Sequence, residues 1–228
     1  MKLLFVTATN TDIGKTFTSL KLIQHFSEHG LTVGVCKPIE TGITIIGDGE
    51  LIVDGGEADA SKLLKKVQKY NQSFRGLRPI DITAYTFTLP ASPFSADIYN
   101  IIEIDKIKSK IEELSKLCDL LIVEGAGGLM VPITKDYYMI DLAKDLNSTT
   151  LLVTPSRLGC INDTQLSIEA LKNREISFEW CVNLYEDKKE FKEVTQPFYD
   201  AIYNNWWSLD SGIDKFCKRY LSKANALP

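Results

Sequence analysis

Ala8-Thr9-Asn10-Thr11-Asp12-Ile13-Gly14-Lys15-Thr16 follows a short apolar run, Leu3 to Ala8, and precedes a helical pattern from Lys15 to His29. A buried strand, a tight turn, Gly-Lys-Thr and a helix are the parts of a phosphate-binding loop. A helix start leaves backbone N–H groups unpaired and carries the positive end of the helix dipole, so it suits a phosphate chain. Gly14 lets the backbone approach the anion closely. Lys15 can reach the outer phosphates, and the Thr16 hydroxyl can be offered to Mg²⁺. The usual pattern has glycine five residues before Gly14; Thr9 stands there, so the match is partial.

Outward from this loop, short apolar runs alternate with helical patterns. Phe17, Leu20, Ile23 and Phe26 recur every three residues, and Gly30 ends the helix. Further strands are expected at Thr32 to Lys37, Asp119 to Glu124, Thr149 to Thr154 and Phe178 to Leu184. Helices are expected at Asp59 to Lys69, with Ala60, Leu63, Leu64 and Val67 inward, and over 105–117, with Ile107, Ile111 and Leu114 inward. A third spans Ile161 to Lys172, with Asn162 or Asp163 as N-cap. Residues 42–57 read as a glycine-rich loop. Strands apolar throughout and separated by helices predict a parallel sheet covered on both faces, with ligands at the carboxyl ends of the strands.

The chain has 228 residues, 44% of them hydrophobic and 25% charged, which is globular composition and excludes disorder. A formal net charge of −4 argues against nucleic acid as partner. Five cysteines without a CxxC, and two histidines close together at His25 and His29, argue against a zinc site and for reduced thiols. No apolar stretch reaches the length of a membrane span, and the first apolar run is too short for a secretory signal. The expectation is a cytoplasmic protein with no membrane partner. No internal repeat or linker divides it, so one domain is expected over residues 1–228, with an atypical segment from about 186 to 228 packed helically on the body.

Two more strand ends carry chemistry. Glu124 follows Leu120-Leu121-Ile122-Val123 and opens Gly125-Ala126-Gly127-Gly128. A carboxylate there faces the phosphate loop, and with the Thr16 hydroxyl it makes a hard-oxygen setting suited to Mg²⁺. Lys37, in Cys36-Lys37-Pro38-Ile39-Glu40-Thr41-Gly42, ends the second strand at the same edge as Lys15. Two ammonium groups beside one triphosphate fit a reaction in which charge builds on a transferred phosphoryl group.

With Asp59-Ala60, Tyr85-Thr86-Phe87, Pro90-Ala91-Ser92-Pro93 and Leu158-Gly159-Cys160-Ile161-Asn162 added in order, residues 1–185 resemble the dethiobiotin synthetases. The resemblance implies an α/β fold of the P-loop NTPase type, a mostly parallel sheet with helices on both faces. It implies ATP as co-substrate, Mg²⁺ as cofactor, and 7,8-diaminononanoate and CO₂ or bicarbonate as substrates. It assigns the phosphoryl oxygens and carbamate to Thr11, Lys15 and Lys37, and Mg²⁺ to Thr16, Asp59 and Glu124. Nucleotide would lie on Asp12, Ile13, Gly14, Lys15, Thr16 and Phe17, with Asn183 reading the adenine edge. Substrate would meet Thr41 and Gly127, together with Gly159, Cys160, Ile161 and Asn162 of a neighbouring subunit, so the implied assembly is a homodimer with the site at its interface. Arg157 is either a plain surface arginine or a carboxylate contact.

Two other readings fit the sequence less well. A chromosome-partitioning ATPase switch would carry an extra lysine early in the phosphate loop, where this chain has Ala8, Thr9 and Asn10. An amide-forming ligase of cobalamin synthesis would need a glutamine-handling domain for which there is no room. After the fifth strand the family usually has an Ile-Pro step that helps enclose adenine. Here Leu184-Tyr185-Glu186-Asp187-Lys188 follows, and the later prolines, Pro197 and Pro228, sit in no such step.

Overall fold

The computed structural model describes residues 2–225; Pro228 lies outside them. β1 (Lys2–Ala8) has Leu4, Phe5 and Val6 wholly inside, as a central parallel strand requires. α1 (Lys15–Glu28) follows and buries Thr18, Leu22 and Phe26, with Ser19 and Ile23 beside them. The inward stripe therefore steps by four residues. The expected three-residue series slips around the helix, and Phe17 ends up 48% exposed. Gly30, in the left-handed region, closes α1 with Gly30 N–H on Ser27 O and Leu31 N–H on Phe26 O, as expected.

β2 (Val33–Cys36) and β3 (Ile39–Thr41) flank Lys37. The segment expected to be a loop instead folds as β4 (Thr44–Ile46), β5 (Glu50–Val53) and β6 (Gly56–Glu57), a three-stranded antiparallel sheet. Its glycines act at the turns, where Gly47, Gly49 and Gly55 have positive φ. α2 (Asp59–Val67) buries the four apolar residues read from its pattern. β7 (Tyr85–Phe87) pairs in parallel with β3. α3 (Pro93–Ala96) precedes α4 (Ile104–Ser115), which buries Ile107, Ile111 and Leu114 as expected.

β8 (Leu120–Gly128) carries Glu124 mid-strand and runs on through the glycines. The hairpin β9 (Pro132–Thr134) and β10 (Tyr137–Tyr138) leads to α5 (Met139–Asp145) and β11 (Thr149–Thr154). α6 (Cys160–Asn173) begins earlier than its pattern suggested. Gly159, at φ 91°, turns the chain into the helix, and the Asp163 carboxylate is held by Arg157 at 2.8 Å, so neither Asn162 nor Asp163 is the N-cap. β12 (Phe178–Val182) follows, then α7 (Lys188–Glu190), α8 (Gln196–Ile202), β13 (Trp207–Ser208) and α9 (Leu209–Asn225).

Six strands form one sheet in the order β13-β12-β11-β1-β8-β2, every neighbouring pair parallel, with helices on both faces. The C-terminal segment does more than pack helically, since β13 adds the edge strand beside β12. α9 lies against α1, its Phe216 and Tyr220 rings 6.4 and 5.5 Å from Phe26, and Tyr220 Oη donates to Leu3 O at 2.8 Å. The five cysteines are free thiols, four of them buried. The carboxyl ends of β1, β2 and β8 meet at one edge, where the site forms.

Candidate active site

The phosphate loop needs two left-handed residues, Asp12 at φ 59° and Gly14 at φ 100°. A Cβ on Gly14 would stand 2.2 Å from Asn183 Nδ2, so glycine is required on both counts. Asn183, just past β12, donates from Nδ2 to Ile13 O at 3.0 Å, and Tyr185 Oη donates to Asp12 O at 3.2 Å. Both side chains thus hold the loop from the sheet side. Gly128 belongs to the same construction: a Cβ there would lie 2.8 Å from Thr9 O. Lys15 Nζ folds back on the loop and donates to Asn10 O at 3.2 Å. Burial, then the neighbouring Lys37 ammonium, pull the Lys15 pKa down to about 8.

Lys37 leaves the end of β2 and lies inside the cluster. Its ammonium donates to Glu124 Oε1 at 2.8 Å, to Asp59 Oδ2 at 3.4 Å and to Gly125 O at 3.3 Å. Thr16 Oγ1 donates to the same Glu124 oxygen at 2.9 Å. Burial pulls the Lys37 pKa down, but Glu124, then Asp59 and Glu40, outweigh it and hold the ammonium above the usual lysine value. Burial likewise raises the Asp59 carboxyl, and Lys37 with the Thr16 hydroxyl more than offsets this, leaving it below the usual range. Glu124 is wholly buried, and its Oε2 finds no hydrogen-bond partner among the described residues. A buried, half-satisfied carboxylate is costly, and such groups cluster where chemistry needs them.

These groups line or underlie a cleft of about 680 Å³. Thr11, Asp12, Gly14, Lys15, Thr16, Lys37, Thr41, Asp59 and Gly127 all face it, and Glu124 lies beneath. Ile13 and Asn183 stay buried behind the loop, and the exposed Phe17 is not in its wall. The segment from Gly159 to Asn162 lies outside this chain's cleft. Cys160 is buried there, with its N–H on Arg157 O, and Leu158 is 81% exposed. The sequence reading gave no role to Glu40, Glu57, Lys62 and Ser92, which also line the cleft. Of these Glu40 had a legible signal, an acid two residues past the Lys37-Pro38 step and at the ligand edge of the sheet.

Among the described residues no group of three or more His, Cys, Asp or Glu is arranged to hold a metal by itself. A cation held in part by phosphates needs only one or two carboxylates, which is the usual Mg²⁺ arrangement. Thr16, Asp59 and the unpaired Glu124 oxygen fit that demand.

A family model described as an AAA domain matches residues 2–183. The ATP-dependent dethiobiotin synthetase BioD of Sulfurovum sp. (strain NBC37-1) is 56% identical over 218 residues, 96% of this chain and 99% of the relative. The chain belongs to the dethiobiotin synthetase family. A second synthetase of that name, from Wolinella succinogenes, is 36% identical over 97% of this chain and 99% of its own length. Among solved structures, a ParA-family ATPase from Chlorobium tepidum (TM-score 0.51, 13% identity, 99% of each chain) shares the fold. So does the MinC:MinD complex of Aquifex aeolicus (TM-score 0.50, 15% identity), covering 100% of this chain and 90% of that one. These likenesses make the fold a P-loop NTPase fold; the partition ATPases are structural relatives of this synthetase-family chain. No helix among the described residues is long and apolar enough to cross a membrane.

Proposed function

We propose that this chain closes the ureido ring of dethiobiotin from 7,8-diaminononanoate, CO₂ and ATP. One observation carries the reading: Lys15 and Lys37 converge on a single cleft over the Thr16–Glu124 pair, in a chain of this family. One substrate amine adds to CO₂ and loses a proton to give a carbamate. A carbamate oxygen attacks the γ-phosphorus, the bond to the ADP oxygen breaks, and a carbamic–phosphoric anhydride forms. The second amine attacks the carbamate carbon, the C–O bond breaks, and phosphate departs with that oxygen.

The substrate supplies each nucleophile, so the protein's work is positioning and charge neutralisation. In this reading Lys15 leaves Asn10 O for the β- and γ-phosphoryl oxygens, and Lys37 leaves Glu124 for the oxygens shared by carbamate and γ-phosphate. Thr11 donates to the same oxygens, and Thr41 and Gly127 border the diamine. Thr16, Asp59 and Glu124 hold Mg²⁺, which when bound neutralises phosphate charge. Asn183 keeps a carbonyl oxygen and one amide N–H for the base. The exposed Leu158 and the first turn of α6 support a homodimer in which the segment from Gly159 to Asn162 reaches a partner's cleft; the family reading places that dimer in the cytoplasm. Residues 1–228 act as one domain, a reading supported by the β12–β13 pairing and the α1–α9 packing.

The test is ATP turnover with purified protein. Turnover that needs both diaminononanoate and bicarbonate, with one dethiobiotin per ADP, is expected. ATP hydrolysis indifferent to both would overturn the reading and favour a switch ATPase.

A further inference from the structure

Glu40 lies on β3, lines the same cleft as Lys37, and is 5% exposed. Its carboxylate does not meet the lysine. It accepts instead from the first two backbone N–H groups of α2, from Asp59 N at 2.6 Å and from Ala60 N at 3.1 and 3.3 Å. Those donors have no partner within their own helix, and the N-cap residue Ala58 offers no side chain to satisfy them. The start of α2 is thus capped from another element, by charge-assisted bonds that also meet the positive end of the helix dipole.

The residue so capped is Asp59. Its backbone is tied to β3, while its carboxylate points to Lys37 at 3.4 Å and to Lys62 at 3.8 Å. The chain just before it, β4 to β6, is a small sheet with exposed outer strands, a poor anchor for a carboxylate. Ser61 Oγ does bond Leu51 O at 2.7 Å, but that ties α2 to this same small sheet.

We infer that Glu40 is a positioning residue: by capping α2 from β3 it holds the Asp59 carboxylate against Lys37, on the cleft it shares with Thr16, where it would serve a shared cation. The inference rests on the proposed metal role of Asp59. It concerns the reach of the carboxylate, which accepts only from α2 and hydrogen-bonds no lysine, as distinct from the support its charge lends the Lys37 ammonium. Glutamine loses the Oε2 acceptor but keeps one oxygen at the length of Oε1, which alone accepts from both N–H groups at 2.6 and 3.3 Å; aspartate keeps the charge but is one carbon too short to serve both.

Glu40→Asp and Glu40→Gln therefore separate the two explanations, with Asp59→Asn as the control for the metal role. For each full-length variant the Mg²⁺ midpoint of turnover is measured at saturating ATP. Mn²⁺ binding to the complex with a non-hydrolysable ATP analogue is followed alongside by electron paramagnetic resonance. Glu40→Asp should raise both midpoints roughly tenfold, the usual scale for losing support behind a metal ligand. Glu40→Gln should stay within about twofold of the parent, since the capping oxygen is kept. A Glu40→Asp protein with unchanged midpoints, or a Glu40→Gln protein shifted as far as Glu40→Asp, overturns the inference. If Asp59→Asn itself leaves the midpoints unmoved, the metal role of Asp59 is what fails. A shift in Asp59→Asn without one in Glu40→Asp rejects the role of Glu40 alone.

Discussion

Lys15 and Lys37 look equivalent in the sequence, two lysines at one sheet edge, but the fold treats them oppositely. Lys15 is buried with one carbonyl for company, and its pKa is pulled down to about 8, so its charge is held at a cost. Lys37 neutralises Glu124 and Asp59 and is held charged. Both alanine variants should lose turnover by two orders of magnitude or more, the scale of removing a charge aimed at a transferred group, about 3 kcal/mol. Their stabilities should diverge. Lys15→Ala should melt no lower than the parent, whereas Lys37→Ala strands a buried carboxylate and should lose about 3 kcal/mol. Equal melting temperatures, or near-normal ring closure in either variant, would contradict this. The Lys15 shift also predicts a proton effect. Phosphate favours the charged amine, so the bound pKa lies above 8, and between the two values the complex holds more protons than the free protein. Calorimetry of Mg²⁺–ATP binding in buffers of different ionisation enthalpy should therefore show proton uptake near pH 8 that is absent in Lys15→Ala. No uptake at pH 8 would mean the free lysine is already fully charged.

At the scale of elements, the strands and helices with strong periodicity were legible: β1, α2, α4 and β11 lie where their apolar residues put them. What was missed has physical causes. β4 to β6 are strands of two to four residues whose outer members bury little, so no alternation marks them. β13 is two residues long and exists because it pairs with β12. The start of α6 was misplaced because the Asp163 carboxylate is spent on Arg157 and no longer free to cap. The segment after β12 matters most for function. Asn183 and Tyr185 each spend a polar group on the phosphate loop, at Ile13 O and Asp12 O, and no Ile-Pro step follows. Base selectivity arises from hydrogen bonds the wrong base leaves unpaired, about 1–3 kcal/mol each. With few such groups, titration calorimetry should find ATP preferred over GTP and CTP by less than roughly a hundredfold, about 2.7 kcal/mol. A larger preference would show that the segment after β12 rebuilds a selective pocket.

On the scale of the whole molecule, the parallel sheet brings the ends of β1, β2 and β8 to one cleft, and the residues gathered there were legible because glycine, lysine and acid stand at those ends. The role proposed for the Leu158 to Asn162 segment rests on family resemblance, since nothing in its own spacing says which cleft it serves. If it serves a partner's, sedimentation at assay concentration should give a dimer. Leu158→Glu, which puts a charge on an exposed apolar knuckle, should shift that dimer toward monomer and lower turnover with it; a fully active monomer would contradict the arrangement. The central claim is that this cleft joins a carbamate oxygen to the γ-phosphorus. It is tested most directly by a single rapid turnover with ¹⁸O-labelled bicarbonate, stopped before label exchanges with water, and mass analysis of the released phosphate. One labelled oxygen per phosphate is predicted, because the C–O bond of the anhydride breaks at ring closure. Dethiobiotin formed alongside wholly unlabelled phosphate would contradict the account.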